Sequence, residues 1–199
     1  MKNEQYWEEI ADAYQAETVI STDDFHYGPL IAGDSELGLL PKTLSGLECL
    51  EIGCGGAQNS IFLAKHGANC TAIDISAKQL RFAKQLARLA GVDISFLRAD
   101  MEKIPLLEGE QFDIVHSCHA IAFAEDQRHA IHVMAERVKP DGMLVLSTVH
   151  PLSGGEWVDL EDEDGLLLKD YFSPMSETRE LADGGEAVSR AYPIGVMTD

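Results

Sequence analysis

A glycine-rich segment at residues 53–56 and the carboxylate of Asp74 have the residue types and spacing that point most clearly to chemistry. Gly53, Gly55 and Gly56 allow a tight backbone turn and leave no side chain between the backbone and a ligand. The helix predicted to follow them presents free N–H groups beside that turn. Asp74 is placed to accept hydrogen bonds from both hydroxyls of a ribose. Together these residues indicate a site for an adenosine-containing ligand.

The elements that must position this site follow from the pattern around it. Apolar runs at 47–52 and 69–73 predict two strands, and residues 58–66 predict a helix between them, with Gly67 placed to cap it. A strand, a tight turn, a helix and a second strand form a βαβ unit. The turn and Asp74 then lie at the same edge of the sheet.

The glycine pattern separates two classes of adenosine-containing ligand. The dinucleotide fingerprint is G-x-G-x-x-G, and here the third glycine position holds Gln58. Glu51 stands two residues before Gly53, and the resulting E-x-G-x-G-G arrangement resembles motif I of the class I S-adenosylmethionine-dependent methyltransferases. Four further segments resemble that family in the same order along the chain: Asp74, Ala99-Asp100-Met101, FDIVHSCHA at 112–120 and VKPDGMLVLS at 138–147. The sequences of residues 25–30 and of residues 53–61, GCGGAQNSI, resemble bacterial small-molecule methyltransferases in particular.

The resemblance implies the cofactor and the residues that hold it. S-adenosyl-L-methionine is the implied cofactor, with Asp74 on the ribose, Asp100 and Met101 at the adenine, and Tyr14 on a first helix that lies over the ligand. Tyr27 belongs to an aromatic loop that is either a buried anchor or a lid. The full set of expected cofactor-binding residues is Glu51, Gly53, Cys54, Gly55, Gly56, Asp74, Ile75, Gln79, Asp100, Met101, Ser117, Tyr14 and Tyr27.

Strands alternate with helices as far as residue 150, which predicts an α/β fold: a doubly wound, mostly parallel Rossmann-like sheet with helices on both faces. Ser76 and Gln79 are expected to form a capping box and Gly91 to end that helix. Tyr6, Ile10, Ala13 and Tyr14 are expected to share one face of the first helix. The predicted helices are 3–17, 34–40, 58–66, 76–90 and 126–139; the predicted strands are 47–52, 69–73, 94–98, 112–117 and 143–149, with a turn at 140–142.

The pattern changes after residue 150. Residues 166–172 and 187–192 predict a hairpin around Asp183-Gly184-Gly185, which the resemblance implies would roof a substrate pocket. The family's final helix and closing strand pair are not found in these 199 residues. We therefore expect one domain over 1–199, with an N-terminal lid segment at 1–40, a cofactor-binding core at 41–150 and a substrate-side region at 151–199. The edge strand at 144–149 is expected to pair with a second copy, to be covered by the chain's own hairpin, or to pair with strands that a longer chain would supply.

Three histidines are candidates for a base that removes a proton from the methyl acceptor, because histidine titrates near neutral pH. His150, at the exit of the fifth strand, is the first choice, followed by His119 and His26. Each histidine alone is more often structural than catalytic. The position after the fourth strand reads Ser117-Cys118-His119-Ala120, which disfavours methyltransferases with an [ND]-P-P-[YF] motif. A metal-dependent catechol enzyme is also disfavoured, because the carboxylates nearest to that strand end, Glu125 and Asp126, begin the next helix.

Charge and composition limit the partners. The net charge of −19 argues against nucleic acid. Residues 1–40 carry 9 acids and 1 base, and residues 151–199 carry 12 acids and 3 bases. These acidic flanks serve solubility or attract an amine-bearing acceptor. No apolar run approaches a membrane span, the start is not a signal peptide, and the four cysteines show no C-x-x-C pairing; free thiols, no metal site and a cytoplasmic location are expected.

Two alternative functions stay open at this point. A nicotinamide-dependent oxidoreductase would use the same βαβ unit, although Gln58 and Glu51 disfavour it. A non-catalytic S-adenosylmethionine-binding subunit would explain a chain without the closing elements. The sequence supports most strongly an enzyme that methylates an oxygen or nitrogen nucleophile of a small molecule.

Overall fold

A five-stranded parallel sheet forms the centre of the protein in the computed structural model, which describes residues 2–29, 31–104, 109–150, 156–159, 164–167 and 175–192. The strand order is β3-β2-β1-β4-β5, and every neighbouring pair is parallel. The predicted parallel α/β sheet is thus confirmed. The order reverses between β1 and β4, the kind of point where open sheets bind ligands beyond the carboxyl ends of their strands. The strands are β1 Glu48–Ile52, β2 Asn69–Asp74, β3 Ile94–Arg98, β4 Phe112–Cys118 and β5 Val138–Ser147.

Helices cover both faces of this sheet. Ile61 and Leu63 of α3, with Leu80 of α4, pack in one core cluster, and Met134 of α5 packs in the other. Alternate side chains of β1 enter the two clusters, as the two-residue repeat of a strand requires: Cys49 lies in the first and Leu50 in the second. The helices are α1 Lys2–Glu17, α2 Asp34–Leu37, α3 Gln58–Lys65, α4 Ala77–Ala90 and α5 Gln127–Glu136.

Both ends of α4 are capped by residues that the sequence predicted for this role. The Ser76 side chain accepts a hydrogen bond from the Gln79 N–H, and Gly91 ends the helix in the left-handed conformation, as predicted. The predicted capping box is only half right. Its reciprocal bond is replaced, because the Ser76 N–H donates to Asp74 and the Gln79 side chain accepts from Gln15.

The entry to β5 differs from the prediction. The expected turn at 140–142 lies inside the strand, which begins at Val138, and α5 ends at Glu136. Val138 pairs with Phe112 and Met143 pairs with Ile114, so extra residues of β5 face two steps of β4. A bulge absorbs them, with Asp141 at φ 66°. Pro, Asp and Gly therefore mark a strand irregularity here.

Two hairpins follow the sheet. The predicted turn at 183–185 and its second strand are present, since β9 (Glu186–Ala191) pairs antiparallel with β8 (Met175–Glu180). The predicted pairing of 166–172 with 187–192 is wrong, because β9 pairs with β8, whose Glu180 lies directly opposite Glu186. Part of that segment pairs elsewhere: β7 (Asp164–Leu167) joins β6 (Glu156–Asp159). Residues 168–172 lie outside the described part.

The outer edge of β5 has no further strand beside it among the residues that the structure describes. Neither hairpin pairs with β5, so pairing of this edge with a second copy stays a prediction. All four cysteines are free thiols. Within the described ranges, no helix has the length and apolar character needed to cross a membrane.

Candidate functional site

The carboxyl ends of β1, β2 and β4 open into a cavity of about 680 Å³. Its floor is the loop after β1, and α1 and the β8–β9 hairpin cover it. A cavity of this volume is in the range of small-molecule sites. Of the expected cofactor residues, eleven line the cavity: Tyr14, Glu51, Gly53, Cys54, Gly55, Gly56, Asp74, Ile75, Gln79, Asp100 and Met101.

The glycine loop, residues 53–56, is held against β2 by backbone bonds. The N–H groups of Gly53 and Cys54 both donate to the Ile73 carbonyl at 2.9 Å. Gly53 has φ 69°, and a Cβ there would lie 2.2 Å from the Ala120 Cβ. Glycine is therefore required at this position by both the backbone conformation and the close approach of the chain after β4.

Asp74 ties the glycine loop to α4. Its Oδ2 accepts from the Gly55 N–H and its Oδ1 from the Ser76 N–H, both at 2.8 Å. Burial raises the pKa of Asp74, and the backbone N–H bonds oppose that rise. Each carboxylate oxygen has a second lone pair, so Asp74 can still accept hydrogen bonds from two ligand hydroxyls.

Glu51 is buried under the glycine loop. Its carboxylate accepts hydrogen bonds from the backbone N–H of Ser60 at 3.1 Å and from the Ser60 hydroxyl at 2.5 Å. Burial raises the pKa of Glu51 to about 7 despite these bonds, and the charge of Asp74 adds to the rise. Glu51 therefore helps to fix the start of α3 relative to β1.

A second part of the cavity lies beyond β3 and α4. Asp100 accepts a hydrogen bond from the Glu102 N–H at 3.1 Å, and Met101 lies beside the Gly53 position. The Gln79 amide oxygen accepts from Gln15 at 2.7 Å, while its buried Nε2 has no hydrogen-bond partner in the described chain. A buried donor without a partner fits a ligand that offers an oxygen or nitrogen acceptor here. The donor and acceptor set around Asp74 and Gln79 is thus compatible with a nucleoside.

Helix α1 closes the cavity from above. Glu8 accepts from the Ala77 N–H, the Ser76 hydroxyl donates to the Trp7 carbonyl at 3.5 Å, and Arg98 pairs with Glu4. Three members of the predicted helix face, Tyr6, Ile10 and Tyr14, line the cavity, as does Trp7. Ala13 is exposed and Ala11 is the buried alanine, because the contact face is set by Trp7, Ile10 and Tyr14. Burial raises the pKa of Tyr14, and the charge of Asp74 adds to it.

Two of the three candidate histidines line the cavity. His119 follows β4 with φ 60°, a conformation that is uncommon for residues other than glycine, and its N–H donates to the Ser147 carbonyl at 2.7 Å. Its ring packs on Gly28, where a Cβ would lie 2.0 Å from His119 Nε2. Nε2 is buried and has no hydrogen-bond partner among the described residues.

His26 lies near His119 and lines the same part of the cavity. Its backbone N–H donates to Asn59, whose amide donates back to the His26 carbonyl, both at 2.9 Å. Burial lowers the pKa of both histidines, and the charge of His119 lowers the pKa of His26 further. His150, the first choice from sequence, is exposed and does not line the cavity. The geometry therefore favours His119 and His26 over His150.

Tyr27 and Ser117 lie outside the cavity lining. The Tyr27 hydroxyl donates to Asp34 at 2.6 Å, and its carbonyl accepts from the Ser147 hydroxyl. Its pKa is raised by burial and by Asp34. Of the two interpretations of the aromatic loop, Tyr27 fits the buried anchor, while His26 and Gly28 of the same loop reach the cavity. Ser117 is buried within β4.

Sequence reasoning predicted that the first helix and a hairpin would cover the site, but it missed Trp7, Phe123 and Arg179 in the upper wall of the cavity. We call the surface formed by Tyr6, Trp7, Phe123 and Arg179 the roof. The Tyr6 and Phe123 rings stack at 6.1 Å, and Trp7 meets both edge-on. The spacing of Trp7 with Ile10 and Tyr14 was a usable signal on α1. Nothing in the local sequence links Phe123 or Arg179 to the site.

A fourth histidine, His116, was also missed as an ionisable group. It is fully buried in β4 beside the Phe25 ring, and neither ring nitrogen has a hydrogen-bond partner in the described structure. Burial, with the charge of His26, lowers the pKa of His116 to about 3. His116 is therefore neutral in the folded protein.

Comparisons with known proteins agree with this geometry. Residues 50–146 match the model of a family described as a methyltransferase domain. The chain is 29% identical over 115 residues to a ubiquinone biosynthesis O-methyltransferase of Salmonella paratyphi A, covering 58% of this chain and 47% of that protein. It thus spans about half the length of the curated relatives it matches.

Two solved structures share the fold. One is described as an S-adenosylmethionine-dependent methyltransferase from Mesorhizobium loti, with 27% identity, 80% of this chain and 73% of that chain covered, and a TM-score of 0.62. The other is described as a putative S-adenosylmethionine-dependent methyltransferase from Listeria monocytogenes, with 20% identity, 82% and 78% covered, and a TM-score of 0.65. The second shows similarity of fold alone.

Proposed function

We propose that this chain is a class I S-adenosylmethionine-dependent methyltransferase, which binds S-adenosylmethionine and methylates an oxygen or nitrogen of a small molecule; the match of residues 50–146 to a methyltransferase domain supports this. The observation that carries the proposal is a single cavity. It joins the glycine loop and Asp74 at one end to His26 and His119 at the other. The proposed cofactor site and the proposed proton acceptor therefore share one cavity.

The chain's own residues account for cofactor binding. Asp74 would accept from the ribose hydroxyls, since Gly55 and Ser76 fix its carboxylate from behind. Asp100 and Met101 would hold the adenine, and the glycine loop would let the remainder of the ligand approach the backbone. When bound, the cofactor supplies a methyl group on a positively charged sulfur.

The protein's contribution to the reaction is positioning and the exclusion of water. Tyr14, Trp7 and Ile10 on α1 cover the cavity, and the bonds from α1 to the start of α4 hold that cover in place. Aligning two reacting groups in this way can contribute up to about 7–11 kcal/mol in ideal cases. Such a mechanism needs only one proton to leave the acceptor.

His119 is the best candidate to take that proton, and His26 is the second. Burial lowers the pKa of both, so each ring is neutral at pH 7 and can accept a proton. The buried Nε2 of His119 has no hydrogen-bond partner in the described residues, which leaves it able to bind an acceptor hydroxyl. His150 is a weaker candidate because its side chain is exposed.

The charge of the acceptor and the location of the protein are finer points of this proposal. The acidic flanks, at residues 1–40 and 151–199, would attract an amine-bearing acceptor at long range. The free thiols support a reducing compartment, the cytoplasm.

The test is product formation. The protein is incubated with S-adenosylmethionine and a panel of small phenols and amines, and mass spectrometry follows S-adenosylhomocysteine and the methylated product. We expect His119→Gln to lower kcat by about 10²–10⁴-fold without weakening cofactor binding. His132→Gln is the matched control, because His132 is exposed on α5 and outside the cavity. Equal loss in both variants, or full activity in His119→Gln, would remove His119 from this role.

A further inference from the structure

Arg179 is the sole lysine or arginine among the cavity-lining residues of the described chain. It extends from β8, on the hairpin that covers the cavity. Six side chains with carboxyl groups also line the cavity: Glu51, Asp74, Asp100, Glu102, Glu125 and Glu177. Holding a charge in a mostly apolar wall costs free energy unless the charge has a partner. The partners of Arg179 therefore indicate what this position can bind.

The roof holds the guanidinium group in one place. Its central carbon lies 5.7 Å from the Tyr6 ring centroid and 5.3 Å from that of Phe123. Arg179 Nη1 also donates to the Ser189 hydroxyl at 2.8 Å. The side chain is 27% exposed. Cation–π contacts and this hydrogen bond therefore orient the guanidinium before any ligand arrives.

Glu177 shows which chemical group the guanidinium binds. Its carboxylate receives a hydrogen bond from Arg179 Nη2 at 2.5 Å. The Glu177 side chain is 69% exposed, so this ion pair is open to water on the glutamate side. Exposed pairs of this kind contribute little to stability. A carboxylate from a ligand could therefore replace Glu177 at small cost, while Arg179 stays in place.

We propose that Arg179 binds a carboxylate of the methyl acceptor, and that Glu177 occupies this position until the acceptor enters. The acceptor is then a small, planar, largely apolar acid whose ring packs on Tyr6, Trp7 and Phe123. This inference rests on the proposed function, since it assumes that the acceptor enters this cavity.

Nearby contacts favour an acid over an amine at the roof. Both oxygens of Glu102 accept backbone N–H bonds, from Glu125 and Asp126, so that carboxylate is already engaged. Glu177 is engaged with Arg179. The acidic flanks can still attract cations at long range, but the group that touches the acceptor here is a guanidinium.

The test measures binding of three matched fragments by ¹⁹F NMR: 4-fluorobenzoate, 4-fluorobenzamide and 4-fluorobenzylamine. The full chain is used, saturated with S-adenosylhomocysteine. We expect 4-fluorobenzoate to bind about tenfold more tightly than the amide, as for hydrogen bonds to a charged group. Arg179→Gln should abolish that preference. Glu177→Gln should strengthen benzoate binding, because the competing carboxylate is gone.

Arg190→Gln is the matched control, with the same charge change on the partner strand and outside the cavity lining. It should keep the preference. The proposal is overturned if benzoate binds no better than the amide, if the amine binds best, or if Arg179→Gln keeps the preference. Calorimetric titration of the wild type and each variant with S-adenosylhomocysteine separates the proposed function from the role of Arg179. If the wild type does not bind S-adenosylhomocysteine, the proposed function is contradicted. If it does bind but shows no preference for benzoate over the amide, only the role of Arg179 is contradicted.

Discussion

The two ends of the cavity are built in different ways. At the cofactor end, the contacts that shape the site join residues close in sequence. Asp74 and Gly55 are 19 residues apart, and Glu51 and Ser60 are 9 apart. Both pairs lie within one βαβ unit. The backbone of the sheet therefore fixes this end almost directly from local sequence.

At the acceptor end, formed by α1, the loop at 18–29 and the β8–β9 hairpin, the contacts join distant segments. Asn3 exchanges hydrogen bonds with Val188, 185 residues away, and Gln127 donates to the Arg190 carbonyl, 63 residues away. Arg179 contacts the ring of Tyr6, which lies 173 residues away. The comparison teaches that the cofactor end is part of the sheet, whereas the acceptor end is assembled on top of it and can change without altering the sheet.

The largest expected effect is on the sheet itself. Leu50 is fully buried in β1 between the strands and α5. Leu50→Ala should lower the free energy of unfolding by about 2–5 kcal/mol, since it removes buried apolar surface and leaves a cavity. Urea unfolding followed by circular dichroism measures this. Val19→Ala, at a side chain of the acceptor end that is 95% exposed, should change it by less than about 0.5 kcal/mol. Similar losses in the two variants would contradict the division.

Asp74→Ala tests the cofactor end directly. We expect the affinity for S-adenosylmethionine to fall by about 1.5–3 kcal/mol, the range for hydrogen bonds to a charged group. Calorimetric titration measures the change, and Asp93→Ala, at an exposed carboxylate before β3, is the control. An unchanged affinity in Asp74→Ala would mean that the carboxylate does not hold the ligand.

His116 tests the stability to acid of the sheet beneath both ends, because it lies in β4 against Phe25 of the loop at 18–29. Its folded pKa of about 3 lies below the unfolded value of about 6.5, so between these values the unfolded chain binds a proton that the folded chain excludes. Stability from this group is present above pH 6.5 and is lost as the pH falls. Relative to His116→Phe, the wild type should lose up to about 1.4 kcal/mol per pH unit below 6.5. A difference between the two proteins that does not vary with pH would refute the shift.

The smallest effect concerns the acidic flanks. If they steer a cationic acceptor, kcat/KM should fall a few-fold as salt rises through the screening range. Exposed substitutions on α1, such as Glu17→Gln, should make that slope shallower. A flat profile would leave solubility as the role of the flanks, and it is the result expected if contact with Arg179 dominates acceptor binding.

Eleven of the thirteen expected cofactor residues line the cavity, because the sequence signals at this end are local, and their role in binding stays a prediction. The glycines, Asp74 and the Ser76 cap each occupy a position that backbone geometry demands. Sequence reasoning failed at Pro140-Asp141-Gly142, where pairing with β4 absorbed a turn signal into a bulge. The predicted strand partner at 166–172 was wrong, because the partner of a strand depends on tertiary packing. Arg179 was missed for the same reason, since it contacts Tyr6, which lies 173 residues away. His150, the first choice from sequence, lies outside the cavity lining, because a position after a strand does not decide which way the chain turns.

Calorimetric titration of the full chain with S-adenosylmethionine and, separately, with NAD tests the central proposal most directly. The proposal predicts one site that binds S-adenosylmethionine, is blocked by S-adenosylhomocysteine, and is weakened in Asp74→Ala. It predicts no detectable binding of NAD under the same conditions. Binding of NAD at this site, with none of S-adenosylmethionine, would contradict it.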